Sequence, residues 1–316
     1  MTKTLLAGAE VWQRPPGASR PEIDNAIYPG LDGLAEAVTE DGLKAQNHPL
    51  LTAFDDLQPR IVEDLSDFGF LVKEAAEMVG VKAAVIWPAY SGDAVSSVLV
   101  LYLRGGENHR GAAELWSGTK GRFELSLAGG YFSGLDRFAR VSRYVNFPMG
   151  AGLPGVCWEK SAAKLVPDVG AAKGFLRSAG EGDERLTVGL GLPLLYRTDL
   201  RSVLVLLSSV CCPVASVQEI WVQDPEAAGR IVRSQGVYHG HVALAEASQS
   251  VAFTPGEGLI GRAWSTARSQ LVVGEGVYAE LGEARTEATR EAGLTFAVAI
   301  PVAVIGSVNS AVLLMG

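Results

Sequence analysis

The chain has 316 residues, of which 48% are hydrophobic and 20% charged, with a net charge of −8 dispersed along its length. That length fits two or three ordinary domains, and the absence of any long Lys/Arg run excludes the clustered cations that nucleic-acid phosphates require. The most apolar stretches, Ser202 to Val217 and Phe296 to Val308, are broken by Ser, Pro or Gly and fall short of a membrane-spanning helix.

Met1 to Val11 carries one Lys and too short an apolar core for a secretory signal, so a cytoplasmic protein with no membrane partner is expected. Its three cysteines fit a reducing compartment: Cys157 is isolated, and the neighbours Cys211 and Cys212 could pair only with strain. No Cys/His spacing resembles a zinc site. His239-Gly240-His241 reads as a turn, and the sequence names no cofactor.

Internal periodicity decides the architecture. Glu-x-Trp occurs at Glu10-Trp12, Glu114-Trp116 and Glu219-Trp221, at intervals of 104 and 105 residues in a chain with six tryptophans. Other landmarks keep the register. Phe54, Trp158 and Trp264 each precede an apolar pair by the same step (Ile61-Val62, Leu165-Val166, Leu271-Val272), and Pro88, Pro193 and Pro301 each follow a strand-like run. Three units are predicted, over residues 1–104, 105–209 and 210–316. Each is an antiparallel sheet covered by short helices, an α+β plan rather than a βαβ one. The Trp of each Glu-x-Trp step is read as a core residue on the unit's first strand.

In the first unit, Phe68, Leu71, Val72, Ala75, Ala76 and Val79 share one helical face, stopped by Gly80. The stretches from Arg104 to Ala112 and from Ser208 to Ser216 join closing strand to opening strand, so the units must abut. In the third unit, strands are expected over Val217–Val222, Ile231–Tyr238 and Gln270–Val273, with a closing hairpin of Phe296–Val304 and Ser310–Met315. A short helix carries Trp264, and Tyr278 to Ala292 reads as one helix ended by Gly293.

Gly150-Ala-Gly152-Leu-Pro-Gly155 and Gly256-Glu-Gly258-Leu-Ile-Gly261 both match G-x-G-x-x-G. A dinucleotide site needs a buried strand before the motif and a long helix after it. The segment before Gly150 is polar and Pro-interrupted, and strands resume by Leu165 and Leu271. Tight loop-to-helix turns are therefore expected, with Pro154 in the first helical turn.

These residues resemble the GAF family of small-molecule sensor modules. The second unit supplies Phe147, Gly150, Gly152, Leu153, Gly155, Trp158, Val166, Asp168, Phe175-Leu176-Arg177 and Leu192-Pro193-Leu194. The third supplies Phe253, Gly256, Gly258, Leu259, Gly261, Trp264, Val272, Gly293-Leu294 and Ile300-Pro301-Val302, and lacks the Asp. The first keeps Phe54, Ile61, Asp64, Val81 and Pro88 without the glycine motif and resembles a degenerate copy.

The resemblance implies a ligand between sheet and covering helices, with Phe147, Gly152, Cys157, Trp158, Asp168, Phe253, Gly258 and Trp264 as candidate contacts. Against that, Trp158 and Trp264 also suit core packing, and Asp168 suits a turn or helix N-cap. No Cys-His dipeptide for a bilin is present. Gly155-Val156-Cys157 resembles a segment of GAF enzymes that reduce free methionine sulfoxide, but the further cysteines of that group are missing. Three functions follow: a non-catalytic sensor acting through a protein partner or self-association, an interaction protein with filled pockets, or a Cys157-dependent reductase.

Overall fold

A computed structural model describes residues 3–44, 48–118, 122–172, 175, 177 and 185–316. Three separate antiparallel sheets account for its strands, which bears out the expected α+β plan. The first sheet contains β1 (Leu6–Gln13), β2 (Glu22–Ile27), β3 (Arg60–Val62), β4 (Val81–Ser91) and β5 (Ala94–Arg104), in the order β2-β1-β5-β4-β3. The second contains β6 (Gly111–Gly118), β7 (Glu124–Ser133), β8 (Phe147–Pro148), β9 (Lys164–Val166), β10 (Leu186–Tyr196) and β11 (Asp199–Ser209), in the order β8-β7-β6-β11-β10-β9. The third repeats that order with β12 (Val217–Gln223), β13 (Ile231–Val237), β14 (Ala252–Phe253), β15 (Gln270–Val273), β16 (Phe296–Val304) and β17 (Ser307–Met315). Each opening strand therefore lies beside its unit's closing strand, as the spacing of Glu-x-Trp and the apolar runs requires.

The covering helices are short. They are α1 (Asp32–Asp41), α2 (Pro49–Asp56) and α3 (Phe70–Met78) in the first unit, then α4 (Asp136–Ser142) and α5 (Gly152–Lys160) in the second. The third unit has α6 (Val242–Ala247), α7 (Gly258–Thr266), α8 (Gly276–Glu280) and α9 (Thr286–Glu291). The single helix expected over Tyr278 to Ala292 is corrected: it is α8, a 3₁₀ turn at Glu283–Arg285, then α9. Gly282 at φ 94° breaks the α-helical path between them. α3 begins two residues later than the apolar face suggests, because Gly69 precedes it at φ 143°; Phe68 is buried from outside the helix.

Strand alternation sends neighbouring side chains to opposite faces, and on the central strands of each sheet both faces are buried. Trp12, Trp116 and Trp221 point toward their own units' helices. Val11, Leu115 and Ile220, one residue earlier, join Leu99, Leu101, Leu204, Leu206, Val312 and Leu314 in one core shared by all three sheets. The continuous apolar runs of β5, β11 and β17 are the consequence.

The units close into a ring. Each short edge strand of one unit packs on the next: β3 on β6 and β7, β9 on β12, and β15 on β1 and β2. Two of the three joints repeat the same hydrogen bonds. Asn25 on β2 donates to the carbonyl of Leu271 (2.9 Å), and Gln235 on β13 donates to that of Leu165 (3.1 Å) while accepting from its N–H (3.2 Å). Ser97 Oγ accepts from Ser269 N (2.9 Å), and Ser310 Oγ accepts from Ala163 N (3.1 Å). Asn25 and Gln235 occupy matching register positions, opposite Val11 and Ile220; the second unit has Gly129 there, opposite Leu115. Such head-to-tail contacts make a ring when the rotation closes, and here all three subunit-like parts lie on one chain.

Ile220 is 1% exposed within the shared core. Ile220→Ala is expected to cost about 2–5 kcal/mol in urea unfolding, as for other large-to-small core changes. Val210→Ala, at an exposed position, is expected to stay within about 0.5 kcal/mol.

Candidate functional site

Beneath each sheet lies a buried carboxylate that comes from the Glu of the Glu-x-Trp step. Glu10, Glu114 and Glu219 are each at most 1% exposed. Residues two apart on a strand share a face, so the neighbouring indole N–H reaches the carboxylate: Trp12 at 2.5 Å, Trp116 at 3.1 Å and Trp221 at 2.9 Å. Burying a carboxylate is tolerable only when donors replace its water, and the three units find the other donors differently. Glu10 accepts from the hydroxyls of Tyr28 (2.5 Å) and Tyr102 (2.7 Å). Glu219 accepts from Tyr238 and from both terminal nitrogens of Arg285 (3.0 and 3.1 Å), a bidentate pair. Glu114 accepts from Ser142 (3.0 Å) and Arg177. Phe132 stands at the register position of Tyr28 and Tyr238 and has no hydroxyl to offer, so Ser142 on α4 supplies one.

Arg177 sits in an aromatic box. Its guanidinium carbon is 4.3 Å from the ring centre of Phe138, 5.3 Å from Trp116, 5.5 Å from Phe175 and 5.6 Å from Phe147. Phe147 meets Trp116 edge-on at 4.7 Å, and Phe253 meets Trp221 similarly at 5.1 Å. These two Phe candidates are thus buried walls of the carboxylate sites. The sequence reading took the Trp of each step as core, which the structure bears out, and passed over the Glu beside it. Its recurrence at a strand position was the available signal.

The glycine motifs form loop-to-helix turns. A Cβ at Gly155 would lie 2.1 Å from the carbonyl oxygen of Pro148, and one at Gly261 would lie 2.2 Å from that of Thr254, so the backbone closeness requires glycine at both places. Gly152 and Gly258 open α5 and α7 and back onto Phe147 and Phe253.

In the second unit, a groove of about 350 Å³ runs between this loop and β9. Leu153, Val156, Val166, Val169 and Phe175 line it, with Lys164 at its rim. Its volume falls within the range of small-molecule sites. The matching face of the third unit is covered by α8, which packs on α7 and β15.

Of the candidates, only Gly152 lines this groove. Trp158 and Trp264 are half-buried against the cores of their own units. Asp168 is exposed and accepts from the N–H groups of Gly170 (2.9 Å) and Ala171 (3.2 Å), a turn of the kind Asp favours. Cys157 is fully buried on α5, packed against Gly191, and burial pushes its thiol up to about 12. A thiolate is the reactive form, and this environment opposes it. Cys211 is exposed and Cys212 buried, and burial raises the Cys212 thiol to about 12. Leu176 lies outside the described residues. Among the described residues no cluster of metal-binding side chains occurs, and no helix is long and apolar enough to cross a membrane.

No family model and no curated protein matches the sequence. Among solved structures, the chain is similar to a free methionine-R-sulfoxide reductase of Neisseria meningitidis bound to its substrate, at 18% identity and a TM-score of 0.25 over 33% of this chain. It spans 53% of that protein's length. It is also similar to the GAF domain of a phosphoenolpyruvate-protein phosphotransferase from Coxiella burnetii, at 15% identity and a TM-score of 0.28 over 56% of this chain and 78% of the other. A third likeness is the nlh2 GAF domain of A. aeolicus, at 18% identity and a TM-score of 0.26 over 33% of this chain and 58% of the other.

Among the described residues Glu10 has no cation among its partners, and burial raises its carboxyl above the ordinary value despite the donors around it. The unfolded chain ionises this group near pH 4.3, and the folded chain does so at higher pH. Its contribution to stability is therefore complete below the unfolded value and is lost as pH rises through the folded one. Glu10→Gln cannot ionise, so its stability relative to wild type should increase with pH above about 4.3 in urea titrations; parallel profiles would contradict this. Glu219→Gln instead leaves Arg285 buried without its counter-charge and is expected to cost about 3–5 kcal/mol at neutral pH.

Proposed function

We propose that this protein is a non-catalytic cytoplasmic regulator whose second unit binds a small molecule, and which acts through a protein partner. The unit bounds 1–104, 105–209 and 210–316 belong to this reading. The observation that carries it is the groove of about 350 Å³ beside the glycine loop of the second unit. Its apolar walls suit a largely apolar ligand, and Lys164 at the rim suits one bearing an anionic group. The ligand-facing residues would be Gly152, Leu153, Val156, Val166 and Phe175.

The first and third units have a different job in this account. Like the space over Glu114, which Ser142 and Arg177 fill, their interiors are filled by their own side chains, Tyr28 and Tyr102 over Glu10 and Arg285 with Tyr238 over Glu219, and in this account they offer no groove like that beside β9. They hold the second unit in the ring. The same filling favours a second reading, an interaction protein in which no unit takes a ligand. The buried, weakly acidic thiol of Cys157 supports neither thiol catalysis nor a covalent adduct there.

A metabolite screen by thermal shift separates the two readings. A ligand at a hundredfold excess over its Kd should stabilise the protein by about 2.7 kcal/mol, and Leu153→Trp, which fills the groove, should remove that stabilisation. If the screen is negative and native mass spectrometry of freshly purified protein finds nothing bound, the interaction-protein reading takes its place.

A further inference from the structure

We propose that the junction of the three units is a second binding site, for a small molecule carrying a phosphate or carboxylate group. A cavity of about 420 Å³ opens where the start of β1, the joint after β5 and the start of β16 converge. Lys3, Arg104 and His109 stand on one part of its lining, and Leu294, Thr295 and Phe296 on the other. No single unit could form it: Lys3, Arg104 and their neighbours on β1 and at Pro29 come from the first, His109 from the joint to the second, and Leu294, Thr295, Phe296 and Gly316 from the third.

Main-chain bonds hold the segments that carry Arg104 and His109. Arg104 N donates to the carbonyl of Leu5 (2.8 Å), which ties the end of β5 to the start of β1, and His109 N donates to the carbonyl of Gly106 (3.0 Å) within a turn. Among the described residues no carboxylate forms an ion pair with Lys3, Arg104 or His109. Burial lowers the His109 imidazole, and the charges of Arg104 and Lys3 lower it further; burial also lowers Arg104. Lys3 and Arg104 therefore bring positive charge to the cavity, and His109, held neutral at pH 7, brings a ring N–H donor. This is notable in a chain whose net charge is −8. Gly316, whose carbonyl oxygen accepts from Thr295 N (2.7 Å) and Phe296 N (3.0 Å), completes the lining on the third unit's side. An oxyanion would accept from all three, while Leu294 and Phe296 offer contact to a small apolar portion. The volume lies in the range that small ligands occupy.

The site touches both the entry and the exit of the ring, so a bound anion would link the first and third units in addition to their direct joint. This differs from the groove in the second unit in place, charge and lining, and each can be lost without the other.

Calorimetric titration of the full chain with inorganic phosphate, and separately with succinate, tests the assignment at fixed ionic strength against a chloride control. One saturable site per chain is expected for at least one of the two. Loss of a hydrogen bond to a charged group should weaken it about tenfold or more in Arg104→Gln and in His109→Gln, and Leu153→Trp should leave it unchanged. His109 lies in a surface turn, so its variant keeps the test informative if Arg104→Gln fails to fold. Absence of saturable binding beyond chloride for both probes, or undiminished binding in the His109 variant and any folded Arg104 variant, overturns the proposal.

Discussion

A carboxylate taken out of water must be surrounded by donors, and this protein meets that demand three times on its opening strands. The requirement reaches well beyond the three Glu side chains. It calls for an indole two residues along, and for a tyrosine or serine from the neighbouring strand or helix. In two units it also calls for an arginine delivered from a segment far along the sequence. Arg285 arrives on a 3₁₀ turn between two short helices, which accounts for the interruption of what reads in sequence as one helix. Buried ion pairs add little net stability compared with apolar packing. Their value here is in arrangement, since only one placement of Arg285 satisfies Glu219 with two parallel bonds.

The other side of the same strands explains how the units sit together. An antiparallel sheet can leave one face to solvent, but the central strands of these sheets bury both. Val11, Leu115 and Ile220 turn away from the carboxylate sites into a common core, and the edge strands close the ring by gripping the next unit. The joint from the second unit to the third and that from the third to the first share an amide-to-carbonyl bond and a serine hydroxyl that accepts from a backbone N–H. The remaining joint has glycine where the others have an amide side chain. The degeneracy expected of the first unit from its missing glycine motif is thus accompanied by asymmetry in how the ring is closed.

Much of the fold was legible in the sequence. Gln270–Val273 and Phe296–Val304 have the predicted bounds because apolar alternation and flanking glycines mark strands locally. The three-fold repeat was legible because Trp is rare. Ring closure was not, since the bond between Asn25 and Leu271 spans 246 residues and leaves no local pattern. The unbroken apolar runs at Val98–Leu101 and Val203–Leu206 were the nearest signal, because alternation disappears when both faces are covered. The candidate site was legible in part. The glycine loop, Phe147 and Arg177 were named from motif residues, whereas the pairing of Arg177 with Glu114, the part of Ser142 and the residues of the junction are placed by tertiary structure alone.

The account stands or falls on the three sheets forming one cooperative body around a shared core. Native-state hydrogen exchange of the amides in β5, β11 and β17 reads this directly, since locally independent units open at their own free energies. One common opening free energy for the slowest amides of all three strands is the predicted result. Separate values, with one unit exchanging well below the others while they stay protected, would contradict it.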